Sequence, residues 1–302
     1  MLDILARAGC YIFIIILGHI LRRKGFFGPE TFGVLSKIVI KITLPAALIA
    51  SSAGKPIDAS MLTISLMGLG GGVLYMLCGW LVHSRGNREQ QAFAVLNTPG
   101  YNIGTFALPF TSSFLGPVGV LTSSLFDVGN SFICLGGSFG VARAVKEGGK
   151  VDILRVLKAP LSSIPFLTHV VMVTLNLNGW RLPGPVISLA EILGNANAFL
   201  AMLMIGVGFK LSGDRSQIGS IVKILSVRYL VAAALAAVFW FCLPFDVDIR
   251  RTLVILAFAP IGSAIPVFTA ELKSDVGLSS AINSISIVIS IVIIVALLLV
   301  LL

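Results

Sequence analysis

Charge is scarce in this chain. Of its 302 residues only 12% are Asp, Glu, Lys or Arg, about half the ~25% usual for a soluble domain. With 57% hydrophobic residues there is more apolar surface than one soluble core absorbs, so the class is integral membrane protein. The apolar stretches are long continuous runs rather than alternating segments of ~10 residues, which excludes a β-barrel. Cysteines are few: Cys10, Cys78, Cys134 and Cys242, one per apolar span, with no CxxC or Cys/His spacing. That excludes a disulfide framework and a zinc site, and the four read as buried inert thiols. No Walker motif is present, so any driving force comes from a gradient. The first apolar stretch runs into Arg22, Arg23 and Lys24 without a small-residue cleavage site and is expected to remain as a span.

A helix crosses the hydrocarbon region with about 20 apolar residues. On that measure ten spans are expected: 5–21, 32–52, 60–82, 91–114, 117–141, 155–176, 186–208, 221–243, 252–271 and 278–301. The 91–141 stretch counts as two spans only if Ser112 to Gly119 holds a very tight turn. The formal net charge of +9 invites a polyanion partner, but placement of the basic residues answers otherwise. Fourteen of the 22 Lys and Arg fall in the 1–2, 3–4, 5–6, 7–8 and 9–10 connections and five on the other side. This positive-inside pattern puts both termini outside the cell membrane. The partners expected are lipid and a small anion, not nucleic acid.

The fourth and ninth spans repeat a pattern. REQQAFAVLNTPGYNIGTFALPF (88–110) and IRRTLVILAFAPIGSAIPVF (249–268) each run from a charged start through an apolar half-span, a proline, small residues and a second proline to an aromatic. Five spans precede the basic 5–6 connection and five follow it. The two halves, 1–148 and 149–302, therefore enter the membrane from opposite sides as an inverted repeat. Proline removes a backbone donor and interrupts a helix. Unwound backbone survives at mid-bilayer only when buried in protein or facing a wet cavity. Matched breaks at equivalent places are thus expected to meet near the midplane, their free N–H groups receiving a carboxylate and their carbonyls a cation or water.

The substrate-binding residues expected are Asn97, Pro99, Gly100, Tyr101, Asn102 and Pro109 in the first break and Pro260, Gly262, Ser263 and Pro266 in the second. Asn130 and Asn283 on the fifth and tenth spans and Lys41 on the second complete the set. Asn amides suit this task because they both donate and accept; Tyr101 either closes the pocket or anchors the loop. Asp127, ten residues into the fifth span with Asn130 a turn on, is the expected coupling residue, since a carboxylate at that depth faces a cavity or a partner. Lys37 is expected to snorkel to the interface, and Arg228 and Lys223 to anchor the eighth span on the cytoplasmic side. Glu271, beside Lys273 and Asp275, reads as interfacial. His169 stands alone in the sixth span and reads as a packing residue. GGSFG (136–140) matches a hydrolase pattern but lies within a helix, where no nucleophile elbow forms. GLGGG (68–72) reads as a close-packing surface. No catalytic or metal-ligating residues are expected.

Four stretches carry a resemblance. ITLPAALIASSAG (42–54), NTPGYNIGTFALPF (97–110), IGVGFKLSG (205–213) and APIGSAIPVFTAELKSDVGLSSAINSISIVIS (259–290) together resemble the auxin efflux carrier family, which includes plant auxin exporters and bacterial malonate or malate carriers. The resemblance implies an all-α membrane fold of the bile acid/sodium symporter type. It has ten helices in two inverted five-helix repeats, with broken crossing helices 4 and 9. Helices 1, 2, 6 and 7 would form a scaffold that pairs two copies into a homodimer, and helices 3–5 and 8–10 a moving transport domain. The long cytoplasmic loop of many plant members is missing. The function implied is alternating-access transport of a small organic anion without an organic cofactor. The proton is expected as coupling ion through Asp127, ahead of sodium as in a bile-acid-type symporter, with uncoupled anion export third. The alternative from another class is a receptor that binds the same ligand without moving it.

Overall fold

The computed structural model describes residues 2–54, 59–210 and 217–302, and among them it is helical with no strand. Lys55 and Arg215 of the charge pattern, and residues 211–213 of the IGVGFKLSG stretch, lie outside the described residues. In chain order the helices are α1 (Leu2–Arg23), α2 (Thr31–Ile38), α3 (Leu44–Ser52), α4 (Thr63–Val82), α5 (Arg88–Asn97), α6 (Leu108–Phe132), α7 (Ser138–Glu147) and α8 (Ile153–Lys158). They continue as α9 (Ile164–Leu177), α10 (Gly184–Asn195), α11 (Asn197–Gly208), α12 (Ile218–Phe241), α13 (Val247–Ala257), α14 (Ile265–Glu271) and α15 (Val276–Leu301). Single π turns at Val39–Thr43, Ile103–Ala107 and Ile133–Gly137 join α2 to α3, lead into α6 and link α6 to α7.

Among the described residues seven helical runs are long and apolar enough to cross a membrane, and eight if Ile153–Ser162 and Ile164–Leu177, bent by 81°, count as one. The tally falls short of ten for local reasons. Both proline-paired segments are divided into short helices, α5 before Pro99 and α13 and α14 around Pro260, so neither registers as a span. Ile103–Glu147 registers as a single 45-residue run, yet it turns back at Gly116 (φ 57°, ψ −147°), which precedes Pro117. Twelve residues of straight helix would separate Thr111 from Ser123 by about 18 Å at 1.5 Å per residue, whereas their hydroxyls are 3.0 Å apart. The tight turn expected at Ser112 to Gly119 is present.

α1 lies on α11, and α3 on α10 and α9; α4 lies on α5 and α6, α12 on α13, and α14 on α15. The glycine-rich stretch of α4 works as a packing surface. A Cβ on Gly68 would fall 2.1 Å from the carbonyl oxygen of Phe126, and one on Gly129 would fall 1.7 Å from that of Ser65, so α4 and α6 touch backbone to backbone. Large apolar side chains such as Phe13, Leu66, Ile192, Leu230 and Val292 stay exposed around the outside. A soluble protein would not leave such a belt uncovered.

The cysteines depart from expectation. All four are unpaired, but Cys10 and Cys242 sit on the exposed outer face and Cys78 and Cys134 are half-buried. In a membrane-embedded chain the apolar side that suits a thiol is as often the outside as the core.

Candidate functional site

Each break follows from its proline pair. Pro99 and Gly100 end α5, and Gly100 has φ +82° with Cys134 Sγ 2.7 Å from where a Cβ would stand. Backbone of that hand, with no room beside it, selects glycine. Pro266 occupies the first turn of α14, where a missing N–H costs nothing, and Pro109 follows the π turn Ile103–Ala107 at the start of α6. The two breaks meet: the backbone N–H of Asn102 donates to the carbonyl of Pro260 at 2.8 Å.

Unwound backbone buried in a membrane protein must find partners, and here side chains from neighbouring helices supply them. Asn130 grips the first break with both ends of its amide. Its Oδ1 accepts from the N–H of Tyr101 at 3.0 Å and its Nδ2 donates to the carbonyl of Tyr101 at 2.8 Å. Asn283 grips the second, donating from Nδ2 to the carbonyls of Ile261 and Gly262, both at 3.1 Å. The hydroxyl of Ser286 accepts from the N–H of Ile261. The two asparagines do the same work on the two breaks, as their matched positions in the fifth and tenth spans suggested.

Arg228 is not a cytoplasmic anchor. It is 1% exposed, with its guanidinium between the breaks. It donates to the carbonyls of Thr98 at 2.5 Å, Gly100 at 2.8 Å and Ala259 at 2.7 Å. Its carbon lies 4.9 Å from the ring centre of Tyr75 and 5.8 Å from that of Tyr101. Its side chain reaches the interior because α12 packs against both α4 and α13. The signal available in the sequence was depth: an ionisable residue inside a span faces a site by default.

Beside the crossover lies a cavity of about 370 Å³, within the ~300–1,000 Å³ range of small-molecule sites. Asn102, Ser263, Pro266 and Asn283 line it from the expected set, joined by Arg22, Lys210, Ser280 and Ser284, which sequence reasoning did not select. Asn102 is 6% exposed; its Oδ1 accepts from Thr105, while its Nδ2 has no partner among the described residues. A buried donor left unpaired costs about 1–3 kcal/mol, which a ligand oxygen would recover. Arg22 donates to the carbonyl of Val207 at 2.5 Å, in the last turn of α11, where carbonyls favour a cation. The apolar wall comes from Phe32, Met204, Ile205, Phe209 and Ile287.

The remaining expected residues sit elsewhere. Asn97 is fully buried and ties α5 to Thr269 and Ser279. Tyr101 is buried against Tyr75 and Phe126, so its ring anchors the loop. Pro99, Gly100, Pro260 and Gly262 shape the crossover, the last three through the carbonyls already named. Pro109 lines a second cavity, also about 370 Å³, with Ser51, Glu191, Asn195 and Asn197. Lys41 is exposed on the first π turn and lines neither cavity.

Asp127 is 14% exposed and accepts from Asn130 Nδ2 at 2.7 Å. His169 is not alone: its Nε2 lies 3.5 Å from Asp127 Oδ2, across the packing of α9 on α6. The residues are far apart in sequence, and nothing in either span announced the pairing. Ser138 of the GGSFG stretch donates to the carbonyl of Ile133 at 3.0 Å inside its helix, which leaves no hydrolase arrangement there. Among the described residues no three His, Cys, Asp or Glu side chains form a group able to hold a metal.

Residues 11–151 match the family model described as membrane transport protein. That stretch, a little under half of the chain, is similar to the membrane transport protein family. That family comprises transporters and not enzymes, and the apolar helices agree that this is a multi-pass membrane protein. The matched stretch contains the first break, Asn102, Asn130 and Asp127. No curated protein matches the chain.

Proposed function

We propose that this multi-pass membrane protein is a secondary transporter of a small organic anion of the carboxylate class, working by alternating access. One observation carries the reading: two helix breaks meet beside a cavity lined by Asn102, whose buried Nδ2 has no partner among the described residues. Donors on a wall that carries no carboxylate among the described residues suit an anion. Arg22 and Lys210 add positive charge to that wall, and field focusing in a low-dielectric cleft draws anions toward it.

The ten-helix inverted repeat belongs to the same proposal. α5 with α6 up to Gly116 makes the fourth span and α13 with α14 the ninth, each broken at its first proline. The scaffold would comprise the α1, α2–α3, α9 and α10–α11 spans, and the transport domain the rest. The cavity beside Arg22 and Lys210 then opens to the cytoplasm and the one beside Pro109 and Glu191 to the outside. Movement of the transport domain would expose the crossover to each in turn. Asp127 and His169, one on each side of that division, are the proposed proton-coupling pair, since a proton on either changes their attraction.

Uptake of labelled mono- and dicarboxylates into proteoliposomes tests the reading. Flux above that of protein-free vesicles, weakened by Asn102→Ala, is expected. Saturable binding with no flux for any carboxylate would show a receptor instead.

A further inference from the structure

Arg228 carries the positive charge that the crossover's carbonyls would otherwise take from solution. Three carbonyls from two interrupted helices converge on its guanidinium, those of Thr98 and Gly100 from one break and that of Ala259 from the other. Convergent carbonyls of unwound backbone are how broken-helix transporters coordinate a monovalent metal ion. The guanidinium forms no ion pair among the described residues, and the two tyrosine rings present their faces to it, as an unpaired cation prefers. A full positive charge is therefore fixed between the breaks.

We infer that Arg228 is a tethered cation standing in for a dissociable sodium ion at the crossover, so that the protein holds its two breaks together without sodium. Each of its bonds goes to a backbone carbonyl whose helix ends there, and α5 and α13 both point their negative ends at it. A side chain cannot leave with the substrate. For a carrier, therefore, this charge favours anion binding in every cycle and is never co-transported. The consequence for flux rests on the transporter reading; the structural claim does not. Arg228 is a positioning residue, since it does not line the cavity.

The test is the thermal unfolding midpoint of the purified full chain in sodium chloride and in choline chloride at equal concentration, which needs no substrate. Wild type is expected to unfold at the same temperature in both. Arg228→Ala is expected to lose several degrees, and to recover part of the loss in millimolar methylguanidinium or in sodium but not in choline. Wild type, run in the same salts, controls for their general effects. Arg228→Lys, which keeps a charge but fewer donors, is expected to fall between the two and to remain insensitive to sodium. Stabilisation of wild type by sodium overturns the inference, as does a folded Arg228→Ala that no cation rescues. If Arg228→Ala does not fold, the wild-type comparison and Arg228→Lys decide alone. In proteoliposomes, flux equal in sodium and choline supports the inference and flux abolished in choline contradicts it. Absence of flux in both defeats the transporter reading while leaving the unfolding result to stand.

Discussion

His169 and Asp127 face each other at 3.5 Å across the contact between α9 and α6. The pair joins two helices that are far apart in sequence. In water such a pair contributes little, but here both partners are mostly buried, where the interaction is stronger and the loss of one partner costs more.

The first prediction concerns that pair. Asp127→Asn should leave a folded protein whose flux no longer changes with pH, and His169→Gln should displace the midpoint of the pH profile without flattening it. Flux measured across a pH series decides; an unaltered profile in Asp127→Asn removes Asp127 from coupling.

Lys210 is exposed and lines the cavity, so its effect is long-range attraction rather than a fixed contact. Lys210→Gln should weaken carboxylate binding several-fold in dilute buffer. The difference should shrink as salt shortens the screening length to about 3 Å near 1 M. A salt-independent loss would mean a direct bond instead.

The crossover should tolerate no side chain at Gly100. Gly100→Ala places a Cβ at φ +82° and 2.7 Å from Cys134 Sγ, and left-handed backbone in a residue other than glycine costs roughly 1–3 kcal/mol. Pairing it with Cys134→Ala should recover only the steric part. Unfolding midpoints of the single and double variants measure both shares.

Stability toward acid has a local source at Glu89. Burial alone would raise its carboxyl, but Lys146 at 2.6 Å and the Ser274 hydroxyl outweigh that and hold it below the ordinary value of 4.5. A carboxyl lowered by folding stabilises the protein above its unfolded value, and that contribution disappears as pH falls through the folded one. Wild type should therefore lose more stability than Glu89→Gln between neutral pH and the acid side of 4.5. The unfolding midpoints of the two proteins should converge there.

Much of this site could be read in the sequence because proline and glycine act locally. The breaks at Pro99 and Pro260, the turn at Gly116, and the matched asparagines Asn130 and Asn283 all follow from residue types at given depths. What could not be read depends on contacts between distant helices. Arg228 was taken for an anchor because a basic residue near one end of a span usually snorkels, and its inward direction is set by α4 and α13. Lys41 has the charge an anion site wants, but the π turn of Val39–Thr43 rotates the helix and leaves it outside. Arg22 and Lys210 looked like topology markers in their loops, and only the fold brings them to one wall. The pairing of His169 with Asp127 was hidden for the same reason.

Equilibrium binding of a labelled carboxylate to purified wild type, Asn102→Ala and Lys41→Ala tests the central claim most directly. Loss of a buried donor's bond to a charged oxygen should lower the affinity of Asn102→Ala by about tenfold or more, tenfold being ~1.4 kcal/mol, while Lys41→Ala binds as wild type. Unchanged affinity in a folded Asn102→Ala, or a loss confined to Lys41→Ala, would contradict an anion site at the meeting of the two breaks.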